Sequence, residues 1–186
     1  MANTEDDNYT DDEIREQIRS FYQETIQAAE PEREKINILF VDDEEKNLRS
    51  FKSALRREYT IFTANSGAEG IEILRKQQVH IIITDQRMPE MTGIEFLESI
   101  IEEVNDPIRI LLTGYADIDA VIGAINKGQV YRYMTKPWRE DEMKQVIQNA
   151  YEVYHLRERN KRLTEDLMKA NRQLEFLLRQ RLLDGE

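Results

Sequence analysis

The chain has 186 residues, 34% charged and 40% hydrophobic, with a formal net charge of −11 and no cysteine. Its length admits one ordinary α/β domain with extensions, its acidity argues against unaided binding to a nucleic-acid backbone, and the lack of cysteine rules out disulfides and thiolate metal sites. No apolar run reaches the length of a membrane span, and the acidic start MANTEDDNYTDDE is the reverse of a secretory signal, so a cytoplasmic protein with no membrane contact is expected.

Residues 1–35 hold eleven acids against four bases, a net of −7. Residues 1–10 read as a solvated tail. Ile14, Ile18, Phe21, Tyr22 and Ile26 recur at three- and four-residue steps, which predicts an amphipathic helix over 11–29, with Pro31 beyond its end. From residue 36 short apolar runs alternate with helical patterns. Strands are expected at INILFV (36–41), YTIFTA (59–64), VHIIIT (79–84), IRILLT (108–113) and VYRYMT (130–135). Helices are expected at 44–57, 66–77, 93–104 and 117–127, with a last one starting near Arg139. This order implies an α/β fold, a doubly wound five-stranded parallel sheet with right-handed crossovers, over residues 36–150. The unbroken apolar run VHIIIT suits a central strand buried on both faces.

The last helix has no stop signal, since neither glycine nor proline occurs between Glu140 and Leu183. Beyond residue 152 its apolar residues fall into heptads. Val153, Asn160, Leu167, Leu174 and Arg181 share position a, and Leu156, Leu163, Ala170 and Leu177 share position d. The polar b, c and f positions leave no second face to bury, so residues 151–186 are expected to form a coiled coil continuing the last helix of the domain. Asn160 at an a position favours a parallel pair, because a buried asparagine pairs with its symmetry mate. A homodimer through that seam is therefore expected.

FVDDEE (40–45) ends the first strand with four consecutive acids. Acids at a helix start explain Asp43, Glu44 and Glu45, but explain less well Asp42, which directly follows the strand. In a doubly wound sheet, sites form at the carboxyl ends of the strands near the switch in strand order. Asp42 and Asp43 end the first strand there, Asp85 the third, Thr113 the fourth, and Thr135 and Lys136 the fifth. Carboxylates with no histidine or cysteine beside them suit Mg²⁺ or Mn²⁺, and such an ion offsets their mutual repulsion. An aspartate beside an ion and a lysine can attack a phosphoryl group.

These residues, with TDQRMPEMTGIEFL (84–97), LTGY (112–115) and YRYMTKPW (131–138), resemble the receiver domain of bacterial two-component response regulators. The resemblance implies the flavodoxin-like (βα)5 fold. It implies that Asp85 accepts a phosphoryl group from a sensor histidine kinase or phosphotransfer protein. It implies that Asp42, Asp43, Asp85 and the backbone carbonyl of Arg87 hold Mg²⁺, and that Lys136 pairs with the acceptor or phosphoryl oxygens. Thr113 and Tyr133 are implied as switch residues, and Lys136–Pro137 as a cis peptide. The spellings are most similar to receivers often fused to cyclic-di-GMP phosphodiesterase or protein-phosphatase outputs. No output signature follows, so either an output lies outside these residues or the coiled coil is itself the output.

A small-molecule phosphatase or phosphotransferase with an aspartate nucleophile usually needs a second acid two residues on, and position 87 is arginine. A receiver-like scaffold that never turns over phosphate has no use for the complete acid set. His155, at a solvent-facing c position, reads as a surface residue and His80 as structural. Trp138 reads as packing at the start of the last helix. No glycine-rich phosphate loop is present.

Overall fold

The computed structural model describes residues 35–101, 107–114 and 130–183, without the side chains at 170, 173, 174 and 176–183. The expected helices at 11–29 and 117–127 lie outside the described residues. The strands are β1 (Asn37–Val41), β2 (Thr60–Ala64), β3 (Ile81–Asp85), β4 (Ile108–Thr113) and β5 (Arg132–Thr135). The helices are α1 (Glu45–Leu55), α2 (Gly67–Lys76), α3 (Gly93–Ser99) and α4 (Glu140–Leu183). All strand pairs are parallel, in the order β2-β1-β3-β4-β5. The chain thus starts mid-sheet, steps out to β2 and returns across β1 to β3, placing the switch in strand order between β1 and β3.

Alternation along the strands builds two cores. Ile38 and Phe40 of β1 join Ile81, Ile83, Ile110 and Leu112 on the face covered by α1 and α4. Leu39 and Val41 join Ile82 and Leu111 on the face covered by α2 and α3. Both faces of the three central strands are buried, as the apolar run of β3 predicts. Two helix starts use side-chain caps. Ser66 accepts from Glu69 N ahead of α2, and Thr92 and Glu95 form a reciprocal capping box at α3.

Within the described residues α3 stops short of the 93–104 expected, of which 102–104 lie outside them. It ends at Ser99, where Ile100 is wholly buried and Ile101 N turns back to Glu98 O. Two consecutive β-branched residues favour that exit over another helical turn. β5 is also shorter than expected, with Tyr131 N already donating to Arg109 O just before it.

α4 is 44 residues long, about 66 Å at the standard helical rise. Met143, Val146, Ile147, Ala150 and Tyr154 bury its first four turns on the α1 side. Its start is held by an aromatic stack. Phe40 and Phe51 lie face to face at 4.1 Å, and Trp138 meets Phe51 edge-on at 5.5 Å. Lys144 bridges Glu58 and Glu140 at 2.6 and 2.8 Å on the surface. Where α4 leaves the domain, the buried His80 ring lies 5.3 Å from Tyr151 and 4.9 Å from Tyr154. His80 Nδ1 accepts a hydrogen bond from Asn37 N, so this histidine is structural, as expected.

Gly93 is where the fold meets the chemistry. A Cβ there would lie 2.2 Å from the Asp85 carbonyl oxygen and 2.9 Å from Leu111 Cδ1. Gly93→Ala should therefore cost about 2 kcal/mol or more in urea unfolding, because backbone cannot yield as a flexible side chain can.

Candidate functional site

β1 and β3 are neighbours in register, with Val41 opposite Thr84, so the residues that end them share one rim. Asp42 is wholly buried and Asp85 is 7% exposed. Lys136, just past β5, reaches across the end of β4. Its Nζ lies 2.8 Å from Asp42 Oδ2 and 2.7 Å from Asp85 Oδ1, an ammonium shared by two buried carboxylates. The Lys136–Pro137 peptide is cis.

Each acid has further donors. Asp42 Oδ1 accepts from Glu44 N at 3.0 Å and from Asn47 Nδ2 at 2.9 Å, and Asn47 Nδ2 also reaches Asp42 Oδ2 at 3.1 Å. Asp85 Oδ2 accepts from Arg87 N at 3.2 Å. Burial pushes the Asp85 carboxyl above its ordinary range; the hydrogen bond and charge of Lys136 oppose this without cancelling it. Burial also pushes the Lys136 ammonium down, but its bonds to both acids outweigh that and hold it above its ordinary value. The cation divided between two buried acids stays firmly charged, while Asp85 stays under-compensated.

The crowding of acids in FVDDEE is mostly linear. Asp43, Glu44 and Glu45 are exposed, and only Asp42 enters the site. Among the described residues no three His, Cys, Asp or Glu side chains form a ready group for an ion. The buried pair closes on the ammonium instead, with Asp43 beside it in solvent.

Thr113 ends β4 fully buried, with its hydroxyl donating to Gly114 O at 3.3 Å. Tyr133 is 38% exposed on the edge strand β5. Arg87 is exposed two residues past Asp85. Along α4, Val153 is half-buried against the core, and Leu156, Asn160, Leu163 and Leu167 are exposed. The side chains of Ala170, Leu174 and Leu177 lie outside the described residues. His155 is exposed and packs edge-on against Tyr151.

No motif in the sequence marks Asn47. Its signal was present: it stands in the first turn of α1, where side chains point back toward the helix start and hence toward Asp42. Beside it lies an open cavity of about 480 Å³, lined by Asn47, Ser50, Phe40 and Trp138 and bordered by Asp42 and Lys136.

Comparison with known proteins agrees with this geometry. The family model described as Response regulator receiver domain matches residues 38–148. The hydrogenase transcriptional regulatory protein HoxA of Bradyrhizobium diazoefficiens is 32% identical over 119 residues, 64% of this chain and 24% of that protein. The signal receiver domain of an HD domain-containing protein from Pseudomonas fluorescens superposes with a TM-score of 0.62 at 32% identity, covering 66% of this chain and 98% of that one. A structure described as adenylate cyclase from Rhodopirellula baltica gives 0.67 at 28% identity, covering 71% and 98%. The chain spans about a quarter of the length of the first curated relatives it matches. The likeness rests on the part of the chain that holds the acid rim, and over it this chain belongs to the response regulator receiver domain family.

Proposed function

We propose that Asp85 accepts a phosphoryl group from the phosphohistidine of a sensor histidine kinase or phosphotransfer protein. The observation that carries this is the Lys136 ammonium, 2.7 Å from Asp85 Oδ1 on a rim that also holds Asp42. An Asp85 oxygen forms the new bond to phosphorus as the P–N bond of the donor breaks and its imidazole leaves. Lys136 sits where it can neutralise the transferred oxygens. Two buried acids against one ammonium leave a net negative site whose donors are all oxygens, and exposed Asp43 adds a third carboxylate. That set fits Mg²⁺ or Mn²⁺, held by Asp42, Asp43, Asp85 and the Arg87 carbonyl. When bound, such an ion supplies positive charge to the phosphoryl oxygens. A free-standing phosphatase has less support, because the exposed residue at position 87 is arginine rather than a second acid.

Thr113 and Tyr133 serve the switch in this reading. Among the described residues the Thr113 hydroxyl donates to the adjacent Gly114 carbonyl at 3.3 Å, a long bond it can exchange for a phosphoryl oxygen. Tyr133, 38% exposed on β5, has room to change its ring position when Asp85 is phosphorylated.

The chain also dimerises through a parallel coiled coil of α4. Leu156, Leu163 and Leu167 are each more than 60% exposed, an apolar stripe a lone helix leaves in water. At about 100° per residue, their face lies roughly a third of a turn round the helix from the Met143–Tyr154 face that packs on the domain. The core therefore cannot cover it, and a second copy can. Receivers at one end of the stalk pass their state along it to whatever output the full protein employs.

Phosphorylation with Mg²⁺ and a small phosphodonor should add one phosphoryl group by mass, and Asp85→Asn should add none; an undiminished adduct in the variant overturns the assignment. The same variant should be more stable. Because burial raises the Asp85 pKa, its contribution to stability is full below pH 3.8 and lost as pH rises through the raised value. Asp85→Asn should thus raise Tm at pH 7 by a few degrees, about 1 kcal/mol, with the gain shrinking toward pH 4.

Thr113→Ala should still be phosphorylated, within about threefold of the wild-type rate, yet lose phosphorylation-dependent change in assembly or in the NMR shifts of the Tyr133 ring. Sedimentation should find the full chain dimeric at micromolar concentration. Leu156→Glu with Leu163→Glu should return it to monomer without lowering the domain's Tm, since both sites are exposed. Asn160→Leu should tighten the assembly but relax its orientation.

A further inference from the structure

We infer that Asn47 is a positioning residue that sets how Lys136 is divided between Asp42 and Asp85, and through that the balance between cation affinity and phosphoryl transfer. The inference rests on the reading of Asp85 as acceptor. Asn47 Nδ2 lies 2.9 Å from one oxygen of Asp42 and 3.1 Å from the other, and Glu44 N is 3.0 Å from the first. These neutral donors and Lys136 occupy the carboxylate on both oxygens. Hydrogen bonds to a charged group are the strong ones, so they satisfy much of Asp42's demand for positive charge.

Neutrality is what matters. A second cation at position 47 would satisfy Asp42 equally well but would repel any metal ion arriving at the rim. No donor at all would leave Asp42, wholly buried, to draw Lys136 to itself. An amide does neither. It holds the Asp42 carboxylate in one orientation and leaves the ammonium 2.7 Å from Asp85, ready for the transferred oxygens. Asn47 can do this because the first turn of α1 aims its side chain back at the end of β1. Together with Asp42, Lys136 and Trp138 it lines the open cavity of about 480 Å³ beside the acid.

The consequence is an opposed pair of effects. Without the amide, Lys136 moves its share of charge toward Asp42, Asp85 is less compensated, and the rim becomes more negative. A divalent ion should then bind more tightly while phosphoryl transfer slows. A merely structural role for Asn47 would weaken both together.

The test uses the full chain and its single tryptophan, Trp138, which lines the same cavity as Asn47. Titrating Mg²⁺ against Trp138 fluorescence, Asn47→Leu should lower the half-saturating Mg²⁺ concentration about threefold to tenfold relative to wild type. At saturating Mg²⁺ its initial rate of phosphorylation by a small phosphodonor should fall by about tenfold. Asn47→Gln, which keeps the amide, should recover part of both changes. If Asn47→Leu does not fold, Asn47→Ala takes its place with the same opposed shifts expected. Unchanged Mg²⁺ affinity, or affinity and rate falling in step with Tm, overturns the inference. If wild type takes up no phosphoryl group, the acceptor reading fails, and the Mg²⁺ titration alone then decides for or against Asn47.

Discussion

The structure turns on one ammonium held between two buried carboxylates. Charges this far from water are costly, and a pair of like charges is worse than one. The Lys136 bridge makes the arrangement tolerable without making it neutral. A net negative rim remains at the carboxyl ends of β1 and β3, walled by apolar strands on both faces. Much of the local architecture can be understood as holding that rim in place. Gly93 lets α3 start against the Asp85 carbonyl, where no Cβ fits. Asn47 and Glu44 N spend hydrogen bonds on Asp42. The Phe40–Phe51–Trp138 stack anchors the chain two residues past Lys136.

That same stack connects the acid rim to the long helix. Trp138 stands just before α4, and Lys144 in its first turns is paired with Glu58 and Glu140. Exposed pairs such as these add little stability, but they add to the apolar packing that seats the helix start. The domain holds α4 for about four turns and releases it at Tyr154, beside His80 at the other end of the sheet. Beyond Tyr154 most of the described side chains of α4 are exposed.

The parallel sheet, the ends of its strands and the heptad run were all legible in the residues. Apolar alternation and the 3.5-residue repeat are local patterns, and local patterns survive without knowledge of the fold. Asp42, Asp85 and Lys136 could be placed on one rim because strand ends in a parallel sheet all face the same way. What the pattern could not show was contact. Four acids in a row read as a charge cluster, yet three of them point into water. Asn47 reads as an ordinary helix-surface residue, yet it contacts both oxygens of a buried acid. The early end of α3 turns on burial of Ile100, a tertiary event that helix periodicity does not register.

The sequence by itself determined the element order, the residue types at the strand ends and the spacing of the apolar stripe on α4, because each follows from chain-local geometry. Only the tertiary structure decided that Lys136 is shared rather than committed to one acid, for that depends on distances across 94 residues of chain. It alone decided that Asp43 stays in solvent and that Asn47 completes the shell of Asp42. It also decided that the leucine stripe points away from the domain core, because the rotation of a long helix is set by which of its faces the sheet has already buried.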